Sequence, residues 1–263
     1  MFSCDFRARA GAMLMALAVS LALVACSSPP SKPTGSGKRP GTWSDYRSGT
    51  APRPNPAFKR AIIARAEQEW QFFGRQEVVF QGELESIPRV GAWEDEDAQH
   101  SERVNAYWRS AGQTQLTGMD CQKPWSAAFI SWIMRNAGVP DYQFPSAIAH
   151  WSYIADLIEY ASLPGRYFVP RRLQDYSPEP GDLICAYRQP SRAPLKDGYV
   201  RANLLMGLRA HCDLVTAKHE QTLEVIGGNV RNSVSKVRLQ LNQRGYLQPM
   251  PRRPWFVILQ NRL

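Results

Sequence analysis

Histidine is scarce in this chain, 4 among 263 residues. No two of them stand at the spacing that lets one helix face hold a metal ion. The 5 cysteines show no metal-ligand spacing either, so no metal or other cofactor is expected. Acidic residues are outnumbered, with 23 Asp and Glu against 32 Lys and Arg. The formal net charge is +9 and the pI about 9.5, a balance that favours anionic partners. Yet the chain lacks zinc-finger spacing, a basic helical stripe and aromatic-basic repeats, so no nucleic acid is expected as a partner. It also lacks an internal repeat. Only Ala10 to Val24 forms a long apolar run, and it falls short of the roughly 20 residues a membrane span needs.

What is present at the N-terminus has an order. Arg7 and Arg9 precede the apolar run and small residues end it, so residues 1–25 read as a signal peptide. Leu23-Val24-Ala25-Cys26 resembles a bacterial lipobox. That resemblance implies lipidation of Cys26 and attachment to a membrane in the cell envelope. Ser27 after the cysteine points to the periplasmic face of an outer membrane. Residues 26–56 are rich in Ser, Pro, Gly, Lys and Arg and nearly lack apolar residues; they are expected to form a disordered tether. The folded domain is then 57–263. With Cys4 in the signal peptide and Cys26 lipidated, Cys121, Cys185 and Cys212 remain. A Cys185–Cys212 disulfide is one reading and small buried residues the other.

Within the domain, apolar residues first recur at helical spacing. Asn55-Pro56 opens a helix carrying Phe58, Ile62, Ala66, Trp70 and Phe73, stopped by Gly74. Val78 to Phe80 is a short extended piece. Glu94 to Asp97 reads as an acidic cluster in a solvated loop or at a helix start. A second helix is expected over 98–111, a third opening at Pro124-Trp125-Ser126, and a fourth over 146–161. Residues 166–180 look like a proline-punctuated connection. From Gly181 onward the pattern changes to strands: 182–187, 211–216, 222–226, 234–241 and 255–259. Helices followed by strands make an α+β domain in which N-terminal helices pack on a C-terminal antiparallel sheet.

Ser126 stands where the third helix begins. Side chains there face free N–H groups and the positive end of the helix dipole, which stabilises a developing negative charge. A nucleophile suits such a place. So does a plain N-cap serine, and both readings remain open at this point. His211 starts a strand candidate, and Asn229 follows Gly227-Gly228 near the end of the next. His150 precedes Trp151 at the edge of an apolar helical face. Cys121 is a rival nucleophile five residues before Ser126. Asp182 reads as a turn-stabilising carboxylate. Asp213 falls on the strand face opposite Cys212 and could sit near His211, with a solvated or lysine-paired role the favoured reading.

The segment Trp125-Ser126-Ala127-Ala128-Phe129-Ile130-Ser131-Trp132 resembles the nucleophile helix of the CHAP amidohydrolase/peptidases and their NlpC-type relatives, with Ser126 at the usual cysteine position. Pro180-Gly181-Asp182-Leu183-Ile184 and the strand opened by His211 follow in that family's order. The resemblance covers roughly residues 58–259 and is nearest to a lipoprotein branch of unknown function. It implies a papain-like fold and cleavage of an amide in peptidoglycan. Ser126 would be the nucleophile, His211 the base and Asn229 the group orienting the imidazole. His150, Trp125 and Trp151 would contact substrate, a peptidoglycan or cell-wall peptide. The alternative is a catalytically inactive module that binds wall peptide or a partner protein. A third reading is a general binder of anionic surfaces.

Overall fold

A computed structural model describes residues 54–82, 84–120, 122–188, 195–196 and 199–263. The expectations for the signal peptide, the tether, Cys26 and Cys121 lie outside the described residues. The first helix, α1 (Pro56–Phe72), is capped by Asn55, whose side chain accepts from the Ala57 N–H. Gly74 ends it at φ 77°, a conformation that costs glycine little. The hairpin β1 (Gln76–Gln81) and β2 (Leu84–Arg89) follows, then α2 (Ala98–Ser110), α3 (Ser126–Asn136) and α4 (His150–Glu159). The remaining strands are β3 (Phe168–Arg171), β4 (Leu183–Tyr187), β5 (Leu195–Lys196), β6 (Tyr199–Val200), β7 (Ala210–Lys218), β8 (Thr222–Val230), β9 (Ser233–Gln240) and β10 (Trp255–Asn261).

The α+β class expected from the sequence is present. The main sheet has eight strands in the order β2-β1-β9-β8-β7-β4-β10-β3. It departs from a purely antiparallel sheet in one place, because β1 runs parallel to β9. This pairing adds the early hairpin to a sheet built mostly from the C-terminal half. Strand β3 lies inside the stretch expected to be an irregular connection. Its Pro170 is tolerated because the strand is the sheet's last, with one partner and one open edge. Helix α4 begins at His150 rather than 146, after a turn.

Alternation along the strands gives the sheet two apolar faces. On one, Leu183, Leu214, Ile226 and Leu259 pack with Ile62, Phe129, Ile133, Ile154 and Leu157 of the helices. On the other, Ile184, Val215, Val225, Val237 and Ile258 pack with Trp255 of β10 and are covered by Leu247, Leu173, Tyr176 and Met250 of the connections. Each fully buried side chain of this size contributes about 1.5–3 kcal/mol. Helix α3 packs against β7 and β8. Its Phe129 ring lies where any side chain at Gly228 would have to go, with a built Cβ only 2.5 Å from the ring. The bare backbone at Gly228 lets α3 approach the sheet closely.

Cys185 and Cys212 are directly opposed in the β4–β7 register and form a disulfide. The reading of both as separate small buried residues is therefore corrected. They are a cross-strand pair with Cα atoms 4.1 Å apart, close enough to bridge without moving either strand.

Candidate active site

Helix α3 and strand β7 meet at one point. Ser126 is the first residue of α3, and Trp125 occupies the N-cap position without a side-chain cap bond. The N-cap reading of Ser126 is thus corrected: its hydroxyl turns to two imidazoles instead of to its own helix. The Oγ lies 2.8 Å from Nδ1 of His211 and 2.7 Å from Nε2 of His150. Behind His211, Nε2 lies 2.9 Å from Oδ1 of Asp213. Behind Asp213, Arg253 pairs with Oδ2 at 2.5 Å. Behind His150, Nδ1 contacts the Tyr153 hydroxyl. Ser126, His150 and His211 are each at most 5% exposed, and Asp213 is fully buried.

Strand geometry explains the His211–Asp213 pair. Residues i and i+2 project to the same side, so His211 and Asp213 adjoin while Cys212 turns into the helical core. Space for the pair comes from Gly227 on the neighbouring strand. A Cβ built there would sit 2.1 Å from Oδ1 of Asp213 and 2.9 Å from Nε2 of His211. No residue larger than glycine leaves both groups where they are.

Charge states follow from the surroundings. Burial alone would raise the Asp213 pKa, but Arg253 and His211 outweigh it and hold the carboxyl well below its usual range. Burial pushes His211 below the ordinary imidazole value; Asp213 opposes that fall, and Arg253 and Arg188 add to it. His150 is pushed well below by burial, then by His211 and Arg188. At neutral pH both imidazoles are uncharged and Asp213 is ionised.

These states fix the direction of every hydrogen bond. An ionised carboxylate only accepts, so Nε2 of neutral His211 carries the proton and Nδ1 accepts. Ser126 therefore donates to His211. Its single proton is then used, so Nε2–H of His150 donates to Oγ. Nδ1 of His150 in turn accepts from the Tyr153 hydroxyl, whose pKa burial raises well above the usual phenol value. The result is one polarised series from Tyr153 through His150, Ser126 and His211 to Asp213. It can draw the serine proton toward His211.

The cluster opens to solvent on two sides. One cavity of about 710 Å³ is lined by Ser126, Ile148, His150, Trp151, Leu208 and Arg209 among others. Another of about 700 Å³ is lined by His211, Asn229, Arg231, Arg252 and Arg253 among others. Gln122, Pro124 and Arg188 line both. Among the described residues no group of three or more His, Cys, Asp or Glu could hold a metal ion.

Of the residues singled out in the sequence, Ser126, His150 and His211 come together, and Trp151 lines the same cavity as His150. Asn229 does not take the expected hydrogen bond from His211, because Asp213 already occupies Nε2. Asn229 sits at φ 55° where the β8–β9 register slips between Gly227 and Val230. It lines the second cavity. Trp125 is not a cleft residue: it is 1% exposed and stacks on Phe73 within the core. Its indole N–H donates to Glu94, so that end of the acidic cluster is not solvated, while Asp97 caps the start of α2 as the helix-start reading expected. Glu94 is itself 1% exposed. Asp182 is buried and accepts from the N–H groups of Glu179 and Asn261, in line with a structural carboxylate. Asp213 takes the less favoured of its two readings, beside His211 rather than solvated or lysine-paired. The signal available was His211 and Asp213 two apart in one strand.

No described helix is long and apolar enough to cross a membrane. Comparison with curated proteins and with solved structures gave no match. A family model does match, over residues 86–261, which include every member of the hydrogen-bonded cluster. The chain thus belongs to the family described as an uncharacterized protein conserved in bacteria, DUF2272.

Proposed function

We propose that this protein is a cell-envelope hydrolase that cleaves an amide bond in peptidoglycan through an acyl-enzyme on Ser126. The observation that carries the reading is the Ser126–His211–Asp213 series at the junction of two open cavities. Acyl transfer needs a nucleophile, a base in reach, a group that holds the base, and donors for the oxyanion. Ser126 Oγ attacks the carbonyl carbon while His211 Nδ1 takes its proton. The Asp213 charge stabilises the imidazolium, which an asparagine would do less well. His211 then protonates the leaving nitrogen, and water completes the cycle by the same base. The first-turn N–H groups of α3, which include Ala127 at the cavity wall, are available for the oxyanion.

His150 Nε2–H supports the same chemistry from the other side. Its proton points at Oγ in the resting enzyme, and a neutral imidazole held there can donate to negative charge as it develops. The resemblance of the α3 segment to the CHAP and NlpC-type hydrolases supports peptidoglycan as the substrate. The lipobox-like sequence ending at Cys26 supports attachment to the outer membrane through lipid.

The test is release of soluble fragments from purified peptidoglycan by the full-length protein. Ser126→Ala and His211→Ala are expected to abolish release while retaining the wild-type melting profile to within a few degrees. Undiminished release by a folded Ser126→Ala protein would remove Ser126 as the nucleophile. Binding to the wall without turnover by the wild type would leave a recognition module instead. Labelling with radioactive palmitate, lost in Cys26→Ser, checks the anchor.

A further inference from the structure

The rim of the cleft holds several arginines, which differ in their partners among the described residues. Arg231 makes two bonds to the Glu85 carboxylate, and Arg252 also pairs with it. Arg253 is committed to Asp213. Arg188 and Arg209 differ: no carboxylate among the described residues pairs with either. They stand just beyond the Tyr187–Ala210 pair that ends the β4–β7 ladder, and the Arg188 N–H donates to the Arg209 carbonyl at 2.7 Å. They are therefore cross-strand neighbours, a placement in which like charges repel. Burial lowers the Arg188 pKa most, Arg253 adds to the fall, Asp213 opposes it, and Arg209 adds a smaller part.

Their position is as informative as their charge. Both line the cavity that contains Ser126, and Arg188 also lines the cavity that contains His211. The Arg188 charge is felt at both imidazoles bonded to Ser126. Among the described residues neither guanidinium has a carboxylate partner, and two such groups lining the cavity of the reactive hydroxyl suit a carboxylate, which can accept from both at once. The same cavity also has apolar lining, with Ile148 45% exposed and Trp151 among its walls.

We propose that the cleft selects acyl substrates carrying a carboxylate close to the scissile group, held by Arg188 and Arg209; this rests on the acyl-transfer reading of Ser126. The test uses a matched pair of small esters, anionic mono-4-nitrophenyl glutarate and neutral 4-nitrophenyl butyrate. Binding of each to the full-length Ser126→Ala protein is measured by calorimetry, and turnover of each by the protein with Ser126 intact.

The glutarate is expected to bind about tenfold more tightly than the butyrate, the yield of one charge-assisted contact. That preference should vanish in Arg188→Gln and in Arg209→Gln, weaken as salt is added, and return in part in Arg188→Lys. Equal affinity for the two esters, no measurable glutarate binding, or a preference indifferent to both glutamine variants overturns the proposal. The two claims fail separately. Preference without Ser126-dependent turnover keeps the carboxylate site and discards the hydrolase. Ser126-dependent turnover without preference does the reverse.

Discussion

Ser126 accepts from one imidazole and donates to another, and the group that decides this polarity is two bonds away. Asp213 is ionised because Arg253 pairs with it, and its charge dictates which nitrogen of His211 holds the proton. Asp213→Asn keeps the shape and loses the charge. Hydrolysis by the variant is expected to fall about 10³- to 10⁴-fold in kcat, with melting lowered as well because Arg253 is left unpaired. A drop below tenfold would mean that His211 is held by something else. Gly227 makes a second prediction. Gly227→Ala places a methyl against Asp213 and His211, and overpacking of this kind costs about 1–3 kcal/mol. Activity should fall further than that loss of stability explains, because the atoms displaced are those that position the base. Both residues show where sequence reading stops. The alternation of β7 places Asp213 beside His211, but a carboxylate in a strand is usually solvated. Its burial depends on Arg253, 40 residues later in the chain, and on a bare backbone in another strand.

Periodicity carried the helices well because each buries one face. The apolar spacing of α1 and the stop after it were legible from Ile62, Ala66 and Gly74. The β7, β8, β9 and β10 strands were legible for the same reason with a period of two. Pairing was not. Nothing local to Gln76–Val78 says that it will lie parallel to β9, and nothing local to Phe168–Arg171 outweighs its proline. The disulfide falls between these cases: two cysteines in strands were visible, while the register that opposes them was not. That bond ties β4 to β7 directly next to His211 and Asp213. Closing a loop of this size contributes about 2–4 kcal/mol. The Cys185→Ala/Cys212→Ala protein is expected to melt several degrees lower at neutral pH. Its hydrolysis rate should fall more than that of the wild type as temperature rises, since the released strand end carries the base. Identical melting of the double variant and the wild type would show that the bond constrains nothing.

Two buried sites give the molecule opposite responses to acid. His150 and His211 are held below the ordinary imidazole pKa, mainly by burial, so between their folded values and about 6.5 the unfolded chain binds more protons. Their contribution to stability is complete above about pH 6.5 and is lost as pH falls below it. Glu94 runs the other way. Burial raises its pKa from 4.5 to about 7, against the opposing hydrogen bond from Trp125. Its Oε1 has no hydrogen-bond partner among the described residues. The folded protein therefore binds the extra proton between those values, and stability gained below pH 4.5 is lost as pH rises through about 7. Over pH 5 to 7 the two effects oppose each other, which masks both in the wild type. Glu94→Gln, neutral at every pH, uncovers the histidine side: melting should be higher than wild type at pH 8, by about 1 kcal/mol or a few degrees, and fall more steeply below pH 6.5. His150→Gln removes one of the two opposing histidines, so its melting temperature should fall more steeply than that of the wild type from pH 5 to pH 8. The proposed reaction at Ser126 would separate the histidines from the carboxyl. Activity should rise with pH through the depressed His211 value in wild type and Glu94→Gln alike, because only the imidazole takes the serine proton. An activity profile that moved with Glu94→Gln would tie the buried carboxyl behind Trp125 to the chemistry, and the separation of stability from catalysis argued from these contacts would fail.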